Sequence, residues 1–84
     1  MNAKHTRTLS AIFANPVDGA IEWARIEALL VVLGCKVVEG KGSAVSIHKD
    51  GYVLRLHRPH PRKEALRYRV MNVREFLSNI GVTP

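Results

Sequence analysis

The dipeptide Asp50-Gly51 constrains the fold of this chain more than any other feature, because it separates two segments in which apolar and polar residues alternate. An Asp-Gly pair in that setting is a strong signal for a two-residue β-hairpin loop. Residues on either side of the loop then pair symmetrically about it. The apolar pairs that result are Val45 with Leu56 and Ile47 with Leu54. The sequence therefore predicts an antiparallel hairpin with one apolar face, which helices must cover.

The opposite face of the same hairpin is predicted to be polar. Its pairs are Ala44 with His57, Ser46 with Arg55, and His48 with Val53. A hydroxyl, a guanidinium and an imidazole, from Ser46, Arg55 and His57, thus share one surface. We interpret this face as a candidate reaction surface, and His48, beside the loop, as a solvated strand residue.

Hydrophobic periodicity predicts the remaining elements. They are a helix over Thr6–Ala14 that stops before Pro16, a helix over Trp23–Leu33 ended by Gly34, a strand over Lys36–Glu39, a loop over Gly40–Gly42, and a helix over Val73–Ile80 ended by Gly81. Asn72 and Glu75 are predicted to form an N-terminal capping pair for the last helix. This order predicts an α+β fold, in which helices pack on one face of a three-stranded antiparallel sheet, with a short additional helix at the N-terminus.

Length and composition predict a single domain over residues 1–84. The longest apolar run, residues 28–33, is far shorter than the ~20 residues that span a bilayer. The N-terminal residues are not followed by the apolar segment of a signal peptide. Cys35 is the only cysteine, so neither an intramolecular disulfide nor a cysteine-based zinc site is expected. These features predict a cytoplasmic protein without a membrane partner.

The net charge of +6 is concentrated in one part of the chain. Residues 48–74 carry eight Lys and Arg residues against two acidic residues, Asp50 and Glu64. Clustered cations interleaved with His and Tyr residues are typical of a surface that binds a polyanion, most simply a nucleic acid. The alternative interpretation is a solvated basic surface with no ligand.

Residues 57–64, with the sequence His-Arg-Pro-His-Pro-Arg-Lys-Glu, are called the proline arm below. Pro59 and Pro61 fix their own φ angles and hold the preceding residues extended. His60 is therefore predicted to stand on a rigid, exposed segment. Imidazoles titrate near neutral pH, and Arg and Lys bind phosphate, so the arm suits a site that holds a phosphodiester and moves a proton. His57 and His60 also have the spacing of a metal pair, but no further ligand cluster accompanies them, and no metal site is predicted.

The order of these motifs resembles the HicA family of bacterial type II toxin–antitoxin ribonucleases. The matching segments are residues 30–34, Gly42-Ser43, Asp50-Gly51, residues 60–64 and residues 73–81, so that the resemblance covers about residues 22–82. It implies a fold like that of double-stranded-RNA-binding domains and an endoribonuclease that cleaves mRNA with neither a metal ion nor another cofactor. It further implies a HicB-type antitoxin that covers the active site.

One position departs from the family pattern. The family's catalytic His follows Gly-Ser, and this chain has Ala44 there. Alanine cannot transfer a proton, so two interpretations remain open: the chemistry lies on His57 and His60, or residue 44 has been changed from a catalytic histidine. The candidate catalytic positions are Ala44, His57 and His60. The candidate RNA-binding residues are Gly42, Ser43, Ser46, Arg55, Arg58, Arg62 and Lys63.

Two other functions fit the same basic surface. One is a non-catalytic module that binds RNA or DNA, and the other is a phosphate-dependent regulatory protein without a nucleic-acid substrate. An RNA-cleavage assay that compares this chain with its Ala44→His and Ala44→Arg variants would discriminate best among these functions.

Overall fold

The computed structural model describes Met1–Pro84 and contains three helices and one sheet. The elements are α1 (Ala3–Ile12), α2 (Trp23–Val32), β1 (Lys36–Glu39), β2 (Ala44–Lys49), β3 (Tyr52–His57) and α3 (Arg67–Asn79). The strands form an antiparallel sheet in the order β1-β2-β3, with the helices on one side. The predicted α+β class is confirmed, and the arrangement is consistent with a fold like that of double-stranded-RNA-binding domains. None of the helices combines the length and hydrophobicity needed to cross a membrane.

The β2–β3 hairpin has the register predicted from the sequence. Asp50 and Gly51 occupy the loop with φ values of 52° and 84°. Such positive values are easily reached by glycine and tolerated by aspartate, which explains why this dipeptide marks the loop. The observed pairs include Ala44 with His57, as expected.

The apolar face of the hairpin lies against the helices. Val45 and Ile47 of β2 and Leu54 of β3 are buried there. The helices contribute the rest of the core, mainly through Ile26, Leu29 and Leu30 of α2 and Val70, Val73, Phe76 and Leu77 of α3. Because side chains alternate along a strand, the polar residues of the hairpin lie on the other face of the sheet, called the open face below.

The last helix differs from its prediction. α3 begins at Arg67 rather than Val73, and Leu66 is its N-cap, without a side-chain hydrogen bond. The predicted capping pair is wrong, because Asn72 and Glu75 lie inside the helix. Val70 is fully buried and extends the apolar stripe backwards by one turn, which is the packing that overrides the apparent cap.

The first helix also begins and ends earlier than predicted, at Ala3 and Ile12. Its start is fixed by the Asn2 side chain, which accepts a hydrogen bond from the backbone N–H of His5 at 2.9 Å. α2 ends close to its predicted end, and Gly34 has the expected positive φ of 86°.

Backbone hydrogen bonds hold the proline arm near both of its ends. At one end, the N–H of Arg58 donates to the carbonyl of Ser43 at 2.9 Å. At the other, the N–H of Trp23 donates to the carbonyl of Lys63 at 2.9 Å, and the N–H of Ala65 to the carbonyl of Ile21 at 2.7 Å. The arm is thereby attached to the β1–β2 loop and to the segment that begins α2.

Candidate nucleic-acid interface

Ser43, at the end of the β1–β2 loop, and residue 44, which begins β2, lie beside His57. Ser43 Oγ lies 3.2 Å from His57 Nδ1, and residue 44 pairs directly with His57 across the strands. With Nδ1 occupied by the hydroxyl, Nε2 is the nitrogen that can meet a ligand. If Nδ1–H donates to the hydroxyl, Nε2 of the neutral ring is an acceptor and can act as a base, and Nε2–H of the doubly protonated ring can act as an acid. If the hydroxyl donates to Nδ1 instead, the ring is neutral and Nε2–H is a hydrogen-bond donor only.

A cavity of about 480 Å³ lies beside residue 44 on the open face and is called the sheet cavity. Its lining includes Val38, Gly40, Ala44, Ser46, Arg55 and His57. Gly40 approaches residue 44 so closely that a Cβ added to it would lie 3.0 Å from the Ala44 Cβ. The sheet cavity thus joins an apolar wall to a hydroxyl, a guanidinium and an imidazole.

A second cavity, of about 500 Å³, lies along the proline arm and is called the arm cavity. Its polar lining residues are Ser43, His57, Arg58, His60, Arg62, Glu64 and Arg69. His57 is a lining residue of both cavities, so it lies at the boundary between them. Arg69 belongs to the first turn of α3 and was not among the residues predicted from the sequence.

Arg58 is held on the helix side of the sheet by two carboxylates. Its Nε and Nη2 donate to Glu27 of α2 at 2.8 and 3.1 Å. Its Nη1 and Nη2 donate to Glu39 of β1 at 2.6 and 2.7 Å. Trp23 Nε1 donates to the same Glu27 at 2.8 Å. This set of four residues, the Arg58 cluster, ties the proline arm to α2 and β1.

The electrostatics of the Arg58 cluster follow from these contacts. Hydrogen bonds from Arg58 hold the pKa of Glu27 below its ordinary value, although partial burial opposes the change. The same guanidinium lowers the pKa of the Glu39 carboxyl. The two carboxylates in turn raise the pKa of Arg58. All three groups are therefore charged at neutral pH, and the guanidinium makes four charge-assisted hydrogen bonds.

A family comparison agrees with this architecture. The family model described as the HicA toxin of bacterial toxin–antitoxin systems matches residues 23–82, which is well over half of the chain. The chain belongs to the HicA toxin family. Members of that family are generally endoribonucleases, and membership in it implies an RNA substrate and an antitoxin partner. Neither the curated proteins nor the solved structures gave a match.

In this HicA-family chain, the predicted site residues divide between the two cavities. Ala44, Ser46 and Arg55 line the sheet cavity, and Ser43, His60 and Arg62 line the arm cavity. His57 joins them. The structure therefore gathers most of the predicted residues around one imidazole.

Three other predicted residues occupy different settings. Arg58 lines the arm cavity, but its guanidinium binds Glu27 and Glu39, so its phosphate-binding role stays a prediction. Lys63 is exposed and lines neither cavity. Gly42 supplies a positive φ of 58° in the β1–β2 loop, with no atoms close to the position of an added Cβ.

Two further observations concern the histidines of the HicA-family chain. The Nε2 of His48 lies 2.8 Å from Ser46 Oγ, which engages this imidazole within its own strand. No group of three or more His, Cys, Asp or Glu side chains is arranged to hold a metal ion. His57 and His60 thus have no third ligand of these types at metal-binding geometry.

Proposed function

We propose that this chain is a toxin-type endoribonuclease that cleaves mRNA by acid–base chemistry at His57. The observation that carries the proposal is the position of His57, which faces residue 44, contacts Ser43 and borders both cavities. Residue 44 is where the family's catalytic histidine stands. An imidazole directly across the strand pair reaches the same space, because facing Cβ atoms in antiparallel strands lie only ~4.5–5.5 Å apart.

The reaction uses the nucleophile that RNA itself supplies. A base takes the proton of a ribose 2′-OH, the 2′-oxygen attacks the adjacent phosphorus, and the bond from phosphorus to the 5′-oxygen breaks. An acid returns a proton to that leaving oxygen, which leaves a 2′,3′-cyclic phosphate and a 5′-OH. We assign the two proton transfers to His57 and His60, and the stabilisation of the charge on the phosphorane to Arg55.

A second candidate function is a non-catalytic RNA-binding module. Ala44 favours it, because this side chain has no proton to transfer at the family's catalytic position. The basic residues around both cavities would serve this function equally well, since phosphate contacts dominate nucleic-acid affinity.

Cleavage of a single-stranded RNA tests the two candidates. The protein is compared with His57→Ala and with the matched control His48→Ala, which removes an imidazole from the same open face. We expect His57→Ala to lower the cleavage rate by about 10²-fold or more, as is usual for loss of a general acid or base, and His48→Ala to leave it unchanged. RNA binding by the parent without any cleavage would instead establish the binding module.

We also propose that a HicB-type antitoxin inhibits this protein by covering the open face and the proline arm. Support comes from the charge of the region, where Arg55, Arg62 and Arg69 face the cavities without carboxylate partners. An inhibitor that presents carboxylates there excludes RNA and associates rapidly.

A further inference from the structure

We propose that the arm cavity is a second phosphate subsite for the RNA strand, with Arg62 and Arg69 as its phosphate-binding residues. The inference rests on the proposed function and extends it. A strand whose cleaved phosphate lies at His57 continues into the arm cavity and places its next phosphate there. The ligand class is therefore single-stranded RNA with at least one nucleotide beyond the cleaved bond.

The first argument is the charge balance of the arm cavity. Three arginines line the arm cavity: Arg58, Arg62 and Arg69. Of these, only Arg58 forms ion pairs, with Glu27 and Glu39. Arg58 is thereby neutralised. The other ion pair of the molecule joins Arg25 to Glu22, outside this cavity. Arg62 and Arg69 have no carboxylate within ion-pairing distance, so their positive charge remains available to an anion.

The second argument is the setting of Arg69. Its guanidinium carbon lies 5.2 Å from the centre of the Tyr68 ring, a cation–π contact. Such a contact engages the guanidinium without cancelling its charge. Because α3 begins at Arg67, the residue falls in the first turn of that helix, beside the proline arm.

The third argument is continuity. His57 lines both cavities, and no other candidate proton-transfer residue does. One strand of RNA can therefore occupy the sheet cavity on one side of His57 and the arm cavity on the other. Consecutive phosphates of a strand are separated by a single nucleotide, and the proposal assigns them to these two adjoining cavities.

Salt-dependent RNA binding tests the proposal. Two probes are used, a short single-stranded oligoribonucleotide and a dinucleotide that spans only the cleaved bond. Arg69→Ala is compared with Arg67→Ala, which removes the same charge from the same helical turn but from a different cavity, next to Gly19. We expect Arg69→Ala to weaken oligoribonucleotide binding by about tenfold and to flatten the slope of log affinity against log salt by about 0.7. Arg67→Ala should change neither quantity by as much, and dinucleotide binding should match the parent in both variants.

A second variant of the arm cavity should change RNA affinity in the opposite direction. Glu64→Gln removes the carboxylate that lines the arm cavity and should tighten oligoribonucleotide binding. Thermal melting of each variant establishes that it is folded, and Arg69→Gln replaces Arg69→Ala if the latter is not. Equal effects of Arg69→Ala and Arg67→Ala, or an equal loss with the dinucleotide, would overturn the subsite while leaving the proposed function intact. Failure of the parent to bind either RNA would overturn the proposed function and the subsite together.

Discussion

Arg58 is the residue that fixes the proline arm to the rest of the molecule. Its side chain bridges Glu27 on α2 and Glu39 on β1, while its backbone N–H holds Ser43 beside His57. Nothing in the sequence predicts this role, because the three charged residues are far apart along the chain and lie in different elements. The sequence instead groups Arg58 with the phosphate-binding cations, because composition shows the charge of a residue but not the direction of its side chain.

The first prediction concerns the free energy of unfolding of Arg58→Ala. We expect a loss of about 1–2 kcal/mol at neutral pH, most of it from Glu27, because solvent screens the exposed Glu39 end. Arg62→Ala is the matched control, since this arginine of the same arm has no carboxylate partner. Chemical denaturation measures both values, and equal stability of the two variants would remove the structural role of Arg58.

The second prediction is a pH dependence with a definite sign. The pKa of Glu27 and that of Glu39 are lower in the folded protein than their ordinary value of 4.5. The unfolded chain therefore binds protons first as the pH falls, so the contribution of the Arg58 cluster to stability is complete above about 4.5 and is lost below it. The fall in unfolding free energy between neutral pH and acid pH should thus be smaller in Arg58→Ala than in the parent. A fall of the same size in both proteins would contradict the assignment.

At the scale of the elements, the hairpin could be predicted and the start of α3 could not. The Asp50-Gly51 loop sets the register by itself, so the pairing of residue 44 with His57 followed from local sequence alone. The first turn of α3 is rich in charge, and the apparent capping pair Asn72 and Glu75 indicates a start at Val73 instead of Arg67. The available sequence signal for the earlier start was Val70, which precedes Val73 by three residues and so continues the apolar stripe of the helix. Because that turn carries Arg69, a helix start predicted at Val73 also leaves Arg69 out of the predicted site.

The third prediction tests the loop that sets this register. Gly51 has a φ of 84°, and Gly51→Ala should lower the unfolding free energy by about 1 kcal/mol, because alanine is strained in that conformation. RNA binding should be retained, since the loop lies at the far end of the hairpin from His57. Gly40→Ala is the contrasting variant: its Cβ would lie 3.0 Å from the Ala44 Cβ and 3.3 Å from the Ala44 carbonyl oxygen, so it should alter RNA binding. Loss of RNA binding in folded Gly51→Ala, with RNA binding unchanged in Gly40→Ala, would contradict the location of the site beside residue 44.

At the scale of the whole molecule, the helices cover one face of the sheet, and the function is proposed for the open face and the adjoining proline arm. The core residues were recognisable from periodicity, and the basic excess in residues 48–74 pointed to a polyanion. The division of that excess into the neutralised Arg58 and the unpaired Arg62 and Arg69 depends on tertiary contacts, which periodicity does not describe.

The fourth prediction concerns the antitoxin. Co-expression with the product of the adjacent reading frame, followed by co-purification, should yield a stable complex that no longer binds RNA. Arg55→Glu should weaken this complex, because it places a like charge against the carboxylates of the partner. Arg25→Glu, at an exposed position of α2, is the control and should not weaken it. A stable complex that still binds RNA would show that inhibition acts through another surface.

The most direct test of the catalytic site is the rate of RNA cleavage by Ala44→His. An imidazole at residue 44 stands opposite His57 and opens into the sheet cavity, so we expect cleavage to rise by about 10²-fold or more over the parent. Adding His57→Ala to that variant should abolish most of the gain. Antitoxin affinity should change far less than cleavage. An unchanged cleavage rate in folded, RNA-binding Ala44→His, or a larger effect on antitoxin affinity than on cleavage, would contradict the assignment of residues 44 and 57 to the active site.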